Sequence, residues 1–434
     1  MLDRFREFVA AHRGFFLFGA GAVLGVVATL LVSAYLVPIF DRSDRLEPGD
    51  LVILSGRDDG QGNQRQALVD QWNALHPQNQ ARIDAISPVA DAQHSEMVAR
   101  AQGKQHAVDI YNLDVTWTAE FASAGYIRPL DEDRLDTSGF LKAPLNTGRY
   151  DGKLWALPFN TDAGLLYYRT NLVSQPPRTW PQLVATVQDA LSAPGSPAAG
   201  YAGQLGDYEG LTVNALEAIW AAGGDVVDAH GRVVIDSPEA QTGLTRLATG
   251  LAPSTPQVIL RDATQFDETA TTQAFGAGKV LFMRNWPVAY RSLNPSTGAD
   301  AAPAVPFQVT QLPGPSVLGG QNLAIAKDSR HPRAAQKLIE FLTSERSQQI
   351  LFEHGGFAAT REIVYRDATV VNLYRYAPTL LEAIQSARTR PITPHYSQFS
   401  QTFRQIVRQA LANGGQLPDD AKSRLEGALE GYKR

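Results

Sequence analysis

The organisation of the chain follows from residues 153–172, which read KLWALPFNTDAGLLYYRTNL. The apolar run 154–159, interrupted by a proline, predicts a β-strand, and the run 165–168 predicts a second one. The polar triplet Asn-Thr-Asp at 160–162 separates them, without the Asn-Gly type of dipeptide that favours a hairpin. We therefore predict one extended segment that crosses between two lobes and places amide and carboxylate groups at the crossing. An ordinary loop with a polar tip is the alternative interpretation.

The composition is that of a globular protein. A chain of 434 residues is too long for a single core, so two or more domains are expected. Hydrophobic residues make up 44% and charged residues 19%, which excludes bulk disorder. The net charge of −5 does not indicate nucleic-acid binding, for which a basic stripe is typical. The sequence contains no cysteine, which excludes disulfides, thiol chemistry and a lipid attached through an N-terminal cysteine.

The first forty residues predict a membrane segment. Residues 1–13 contain three arginines, and residues 14–40 contain no charged residue. As a helix with a rise of ~1.5 Å per residue, the second stretch would be about 40 Å long and could cross a hydrocarbon core of ~30 Å with some tilt. The arginines favour a cytoplasmic N-terminus. We predict a single-pass anchor at 14–40, a linker at 41–50 and an extracellular remainder; a cleaved secretory signal is the alternative.

Strands and helices alternate after the linker, which predicts a mainly parallel sheet with helices on both faces. The first predicted strand ends at a polar loop with Asp58 and Asp59, and Asp114 follows the third. Ligands of open α/β sheets bind at the carboxyl ends of strands, so these acids are candidate ligand-binding residues. Solvated loop charges and a helix cap are the alternatives. Asp58 and Asp59 lack the spacing of a calcium loop, so no metal is expected.

The chain lacks the local patterns of common enzymes. Its eight histidines form no His-x-x-x-His pair, and there is no P-loop and no Gly-x-Ser-x-Gly elbow. A glycosidase that pairs distant carboxylates, such as Asp59 and Asp162, stays open as an alternative because catalytic groups meet in space rather than in sequence. We expect a protein that is not an enzyme, with no catalytic residue and no cofactor.

Polar and aromatic residues recur at the ends of the predicted strands. Carboxylates and amides exchange hydrogen bonds with hydroxyl groups, and aromatic rings cover the apolar C–H face of a sugar. Both kinds in one cleft would recognise a carbohydrate. The candidates are Asp58, Asp59, Asp114, Asn160, Asp162, Tyr208 and Trp286. Taken singly, Tyr208 and Trp286 are also typical of packing residues.

Eight ordered pieces of sequence carry a resemblance to a known family. They are LSGRDDG, VDIYNLDVTWTAEFASAGYIRPLD, YDGKLWALPFNTDAGLLYYRTNL with PPRTWPQL after it, EGLTVNALEAIWAAGGDVVD, AFGAGKVLFMRNWPVAY, GGQNLAIAKDSRHPRAAQKLIEFL, GGFAATRE and RPITPHYSQFSQTFRQIVRQAL. Together they resemble family 1 extracellular solute-binding proteins, the maltose-binding-like group that serves ABC sugar importers. The last piece and AAGGDVVD are similar to actinobacterial disaccharide-binding members, including trehalose-type receptors.

The resemblance implies an α/β fold with two lobes, of the periplasmic-binding-protein type II, behind the N-terminal transmembrane helix. Lobe 1 would comprise residues 51–160 and 314–343, and lobe 2 residues 161–313 and 344–434. A carbohydrate, either a disaccharide or a short oligosaccharide, would bind between the lobes and be delivered to the permease subunits of an ABC importer. Neither a cofactor nor nucleic acid is implied.

The resemblance also assigns roles within the site. It matches Asn160 and Asp162 to the first hinge, Asp58 and Asp59 to the loop after the first strand, Asp114 to the acid after the third, Tyr208 and Trp286 to aromatic platforms, Gly355 and Gly356 to a turn near the ligand, and Arg390 with Arg388 to a segment that reaches the cleft. The chain departs from the family in its tether, because relatives from bacteria with one membrane usually carry a lipid-modified cysteine. A receptor that reports a sugar to a membrane-bound signalling partner is therefore the alternative to an importer subunit.

Overall fold

The computed structural model describes residues 46–57, 62–103, 107–193, 195–294 and 305–432. The predicted membrane anchor, together with Asp58 and Asp59, lies outside the described residues. No helix within these ranges combines the length and the apolar character that a membrane span requires. The chain from Pro48 onward forms one unit by its internal contacts.

Eleven strands occur in the described residues. In chain order, β1 to β11 are Leu51–Gly56, Ala81–Ile86, Ile110–Asp114, Arg149–Tyr150, Lys153–Leu154, Ala156–Ala163, Leu165–Arg169, Ala199–Ala202, Val280–Asn285, Phe307–Gln311 and Leu318–Ile325. The first sheet has the order β2-β1-β3-β11-β6, and the second has the order β10-β7-β9-β8. Strands β4 and β5 form a separate short hairpin.

The two sheets differ in strand direction. Strands β2, β1 and β3 run parallel, as the alternation of strands and helices predicted. Strand β11 of the first sheet is antiparallel to both of its neighbours, β3 and β6. In the second sheet, β7 is antiparallel to β10 and to β9. The parallel pair of the second sheet, within the described residues, is β8 with β9. The prediction of a mainly parallel sheet is therefore wrong for the second sheet. Its strands meet after long excursions of the chain, which local alternation cannot reveal.

The segment 153–172 crosses from one sheet to the other, as predicted. Its polar triplet is not a tip between strands, however, because β6 continues through it to Ala163 and pairs with β11, with Asn160 opposite Gln321. The crossing falls at Gly164, and β7 begins at the next residue in the second sheet. Strand β6 thus extends past the predicted limit of lobe 1 at residue 160, and the lobe boundaries stay a prediction.

Fifteen α-helices occur in the described residues. In chain order, α1 to α15 are Gln64–Leu75, Ala90–Gln102, Thr118–Ser123, Lys142–Thr147, Trp180–Ala190, Glu209–Ala221, Pro238–Leu251, Glu268–Gly276, Val288–Leu293, Pro332–Leu342, Glu345–Gly355, Ala368–Leu373, Ala377–Ser386, Tyr396–Ala412 and Ala421–Leu429. Local chemistry fixes several starts. At α7 the Ser237 hydroxyl accepts the Ala240 N–H at 3.2 Å and Pro238 takes the first position, as predicted.

Side chains of β7 alternate between two apolar cores, as the two-residue period of a strand requires. Leu166 and Phe282 face a core that includes Phe403 of α14 and buries one face of the second sheet. Tyr167 faces the opposite core, which includes Phe352 of α11. A third core packs α2 and α3 against the first sheet. Burial on both faces fixes the second sheet as a platform for the residues at its ends.

Three chain segments meet at Ser316, directly before β11. The Gly164 N–H, at the crossing, donates to the Ser316 hydroxyl at 2.7 Å. The Arg388 N–H donates to the Ser316 carbonyl oxygen at 2.8 Å. The next residue, Val317, donates its N–H to the buried Glu217 carboxylate at 3.0 Å. The crossing at Gly164 and the stretch that leads from β10 to β11, which both join the two sheets, are therefore bonded to each other.

Candidate functional site

A cavity of about 1140 Å³ lies between the two sheets. One side of it comes from the first sheet and α2, and we call its residues Asn112, Asp114, Asp162 and Gln321 the polar wall. The opposite side comes from the starts of α6 and α8 and the end of β9, and we call its residues Tyr208, Glu268 and Trp286 the aromatic wall. The carboxyl ends of β1 and β3 contribute to the cavity, which agrees with the general position of ligands in open α/β sheets.

The aromatic wall is joined by hydrogen bonds to one carboxylate. The Tyr208 hydroxyl donates to Oε2 of Glu268 at 2.8 Å, and the Trp286 indole N–H donates to Oε1 at 3.2 Å. The Tyr208 ring lies over Gly210, where an added Cβ would come within 2.3 Å of the phenol oxygen. Burial, together with the negative charge of Glu268, raises the pKa of Tyr208, so the phenol is a neutral donor.

Besides its hydrogen bond to Glu268, the Trp286 indole is held by two further contacts. The Arg284 guanidinium carbon lies 3.7 Å from the centre of an indole ring, a cation–π distance. The edge of the indole faces the backbone of Gly319 in the opposite wall, where an added Cβ would lie 3.3 Å from two ring carbons. Arg284 forms a buried ion pair with Glu217, at 2.7 and 2.9 Å. The indole is thus positioned before any ligand contacts it.

Asp162 lies in the polar wall, half-buried near Trp286. Burial raises the pKa of its carboxyl to about 7, although the positive charges of Arg65 and Arg284 act in the opposite direction. The charge of Asp114 raises it further, and a hydrogen bond from Asn160 at 3.4 Å lowers it. Near neutral pH the carboxyl is therefore present in both forms, one of which donates a hydrogen bond as well as accepting.

Arg390 connects the two walls. Its Nη2 donates to Oδ1 of Asp114 at 3.0 Å, and its Nη1 donates to Oε1 of Glu209, the first residue of α6, at 2.7 Å. The Arg390 side chain is only 3% exposed. Asp114 also accepts from the backbone N–H and hydroxyl of Thr116 at 2.9 and 2.7 Å, so the local turn and the ion pair share one carboxylate oxygen.

Helix α2, which packs on the first sheet, and α14, which packs on the second, also contact each other beside the cavity. Arg404 donates to the Asp91 carboxylate at 2.7 Å, and the Ser397 hydroxyl lies 3.1 Å from Nε2 of His94. His94 in turn lies 2.7 Å from the Glu120 carboxylate. The two halves of the molecule are therefore in direct contact in this structure.

Two polar atoms of the polar wall have no hydrogen-bond partner within the described residues. They are Oδ1 of Asn112, whose amide nitrogen donates to Ser55 at 2.9 Å, and Oε1 of Gln321. Buried acceptors without partners are costly, so a hydroxyl or amide donor that reached either atom would be stabilised there. Within the described part of the chain, no group of three or more His, Asp or Glu residues could hold a metal ion.

The sequence-predicted residues fall in different places. The structure brings Asp114, Asp162, Tyr208, Trp286 and Arg390 together around the cavity. Among the others that are described, Asn160 is buried beneath the wall, Gly355 and Gly356 end α11 beside rather than in the cavity lining, and Arg388 pairs with Asp225 and stacks on Trp220. Asp58 and Asp59 are outside the described residues. The ligand-binding roles of all ten predicted residues stay predictions.

The sequence prediction missed five charged residues that line the cavity, namely Arg57, Arg65, Glu209, Asp267 and Glu268. Glu209 and Glu268 begin helices whose starts were not recognised as part of the site. Arg65 of α1 is 8% exposed, and its guanidinium lies 4.9 Å from the ring centre of Phe357, which also lines the cavity. Arg65 shares a face with the buried Trp72, and a charge on an apolar helix face was the signal that could have identified it.

Comparison with known families gives a match over residues 59–349 to the bacterial extracellular solute-binding protein family. The chain belongs to this family. Its members are solute-binding proteins rather than enzymes, and the family supports an extracellular position for the binding domain. The resemblance inferred from the eight sequence pieces is therefore confirmed.

Individual relatives agree with the family. A "Probable ABC transporter-binding protein" of Deinococcus radiodurans is 29% identical over 382 residues, 84% of this chain and 89% of the relative. A maltotriose-binding protein of Pyrococcus abyssi is 24% identical over 348 residues, 76% of this chain and 70% of the relative. The solved structure of maltose-bound T. maritima MalE3 superimposes with a TM-score of 0.78 at 29% identity, covering 88% of this chain and 99% of that protein. The two-lobed, maltose-binding-like α/β fold is thereby established.

Proposed function

We propose that this protein captures a carbohydrate, a disaccharide or a short oligosaccharide, between its two lobes and delivers it to an ABC importer. The observation that carries the proposal is the pairing of the aromatic wall with the polar wall across one cavity. Aromatic faces cover the C–H surface of a sugar ring, while carboxylates and amides take its hydroxyl hydrogens. The named ligands of the relatives, maltose and maltotriose, support the same class of ligand.

The size of the cavity supports a ligand larger than a single hexose. Small-molecule pockets typically have volumes of roughly 300–1,000 Å³, and this cavity has about 1140 Å³. The aromatic wall continues along α8 and α9, where the cavity is lined by small and apolar side chains such as Ala289 and Val288. That extension offers space for a second or third sugar unit beyond the two rings.

Closure of the lobes follows from contacts on both sides of the ligand. A shift of a two-state equilibrium from 1:99 to 99:1 requires about 5.5 kcal/mol of differential binding energy. Stacking on Trp286 combined with hydrogen bonds to Asp114, Asp162 and the free acceptors of the polar wall could supply it, because a closed form brings both walls onto the ligand. Contacts to one wall alone would not favour closure.

The test is calorimetry on the purified full-length protein with maltose, maltotriose and trehalose, combined with chromatography of the sugars after incubation. We expect saturable binding of at least one of the three, with the sugar recovered intact. No binding in the whole panel would contradict the proposed ligand class. Release of glucose would favour the glycosidase alternative over a binding protein.

We further propose that residues 14–40 anchor the protein in the cell membrane with the binding domain outside. The uncharged stretch and the absence of cysteine for lipid attachment support this tether. Carbonate extraction of membranes should leave the full-length protein in the pellet, whereas a cleaved secretory signal would leave a shorter, soluble protein. Because relatives usually carry a lipid-modified cysteine, a sensor that couples to a signalling partner is the alternative function for a protein tethered in this way. Co-purification with permease subunits would favour the importer.

A further inference from the structure

The geometry points to Glu268 as the residue that sets the spacing of the aromatic wall and accepts a hydroxyl hydrogen from a sugar between the two rings. This inference rests on the proposed function and deepens it, because it names the side chain that decides which sugars fit. Glu268 carries no obvious sequence signal, and it lies 60 residues from Tyr208 and 18 from Trp286.

The side chain of Glu268 uses both oxygens to hold a ring. Oε2 accepts from the Tyr208 hydroxyl at 2.8 Å, and Oε1 accepts from the Trp286 indole at 3.2 Å. The two rings come from different elements, one from the start of α6 and the other from the end of β9. A single planar carboxylate therefore fixes the distance between the two aromatic groups that line the cavity.

The main chain of Glu268 is hydrogen-bonded to the end of β9, the strand that leads to Trp286. The Glu268 carbonyl oxygen accepts from the Asn285 side chain at 3.0 Å, and the side-chain oxygen of Asn285 accepts from the backbone N–H of Trp286 at 2.8 Å. The neighbouring Asp267 caps α8 by accepting the Ala270 N–H at 2.8 Å. Side chain and backbone of Glu268 are thus both attached to the segment that carries the indole.

Glu268 has acceptor capacity left for a ligand. An ionised carboxylate offers about four lone-pair sites, and the two aromatic donors take two of them. The residue is half-buried and lines the cavity. A sugar that stacks on Trp286 and presents a hydroxyl toward Tyr208 would meet these remaining sites. The acceptor selects for the position of that hydroxyl, while the rings accept any C–H face.

Glu268→Gln is the sharp test, because it keeps the shape of the side chain and replaces one oxygen by an NH₂ donor. The amide oxygen can accept from the indole, while the NH₂ would donate to the Tyr208 oxygen, whose own O–H then loses its acceptor. We expect the affinity for maltotriose to fall by about 10- to 100-fold, the loss typical of a hydrogen bond to a charged group. In a Tyr208→Phe background the same change should still lower the affinity, because the charged acceptor for the sugar hydroxyl is lost there too, but by less than in the wild type, since the contact with the phenol is already gone.

The matched control is Glu239→Gln. Glu239 is an exposed glutamate in the first turn of α7, as Glu268 is in the first turn of α8, and it lies outside the cavity. The same chemical change at that position should leave the affinity for maltotriose within about twofold. An equal loss from both variants would overturn the assignment to Glu268.

A sugar-free measurement separates this inference from the proposed function. The indole N–H signals of the six tryptophans can be recorded by nitrogen-edited NMR, with the Trp286 signal assigned from its loss in Trp286→Phe. We expect Glu268→Gln to move that signal without added sugar, and an unmoved signal would overturn the positioning role. A moved signal with unchanged maltotriose affinity would overturn the specificity role. A wild-type protein that binds no sugar would overturn the proposed function and the ligand contact, while the indole shift would still report on positioning.

Discussion

The two walls of the cavity differ in whether their polar groups already have hydrogen-bond partners. The aromatic wall satisfies its own polar groups: Tyr208 and Trp286 both donate to Glu268, and Arg284 behind the indole is paired with Glu217. The polar wall contains acceptors at Asn112 and Gln321 that have no partner among the described residues, and a carboxyl, Asp162, whose pKa burial raises to about 7. The polar groups of the aromatic wall therefore have partners without a ligand, whereas two acceptors of the polar wall do not.

This difference separates two contributions to binding. A surface whose side chains are already fixed loses little conformational entropy when a ligand stacks on it, so the aromatic wall should provide most of the affinity. The polar wall gains hydrogen bonds only when a ligand or water reaches its acceptors, so it should contribute less affinity but more discrimination. Substitutions in each wall test this difference in their contributions.

The largest effect is expected from removing the support behind the aromatic wall. Arg284→Met should lower the free energy of unfolding by about 3–5 kcal/mol, because Glu217 would stay buried with its charge uncompensated. Urea unfolding followed by circular dichroism measures the change. The double variant Arg284→Met/Glu217→Gln should recover most of the loss, since it removes the uncompensated charge while the amide oxygen can still accept the Val317 N–H. A double variant as unstable as the single one would show that packing, rather than charge, holds the wall.

Trp286→Ala tests the aromatic wall itself. The loss of stacking and of buried area should weaken sugar binding by about 2 kcal/mol, roughly 30-fold. Calorimetry with maltotriose measures the affinity, and Trp155→Ala, a half-buried tryptophan outside the cavity lining, is the control. Unchanged affinity in Trp286→Ala would remove the indole from the site.

Asn112→Ala tests the polar wall. It removes one buried acceptor without a partner and one hydrogen bond to Ser55, so the stability of the sugar-free protein should change little. The affinity should fall by about 1 kcal/mol, less than for the indole, because one neutral hydrogen bond is lost. A loss larger than that of Trp286→Ala would reverse the assignment of affinity and discrimination to the two walls.

Asp162→Asn has a smaller effect that depends on pH. The pKa of the carboxyl is about 7 in the folded protein and has an ordinary value of 3.8, so between these values the folded state holds a proton that the unfolded state has released. The stability of the wild type should therefore fall as pH rises from about 4 to 7, while the variant, which does not titrate, lacks this decline. We expect a difference of up to about 1 kcal/mol, because solvent in the cavity screens the half-buried group.

Urea unfolding of both proteins at a series of pH values measures that difference. Arg65, Arg284 and Asp114 face the same carboxyl and are present in both proteins, so their contribution largely cancels in the comparison. Parallel stability curves across the window would mean that Asp162 ionises normally in the folded protein.

Local pattern was sufficient for the crossing segment, because two apolar runs around a polar triplet leave few arrangements for an extended chain. It was also sufficient to bring Asp114 and Trp286 to the cavity, since both follow strands that end there. Glu268 was not predictable in this way, because its role depends on the meeting of α6, α8 and β9. Gly356 shows the opposite failure: its left-handed backbone, with φ of 73°, serves to end α11, a role that sequence cannot tell from contact with a ligand.

The junction at Ser316 limits how the molecule can move. Segments that share hydrogen bonds through one residue are restrained relative to one another, so we expect the two halves to rotate about this junction rather than move apart there. A ligand that binds the closed form more tightly than the open form shifts the populations of these two forms. Fluorescent labels on the two halves should then report a bimodal distance distribution, whose weights rather than positions change as sugar is added.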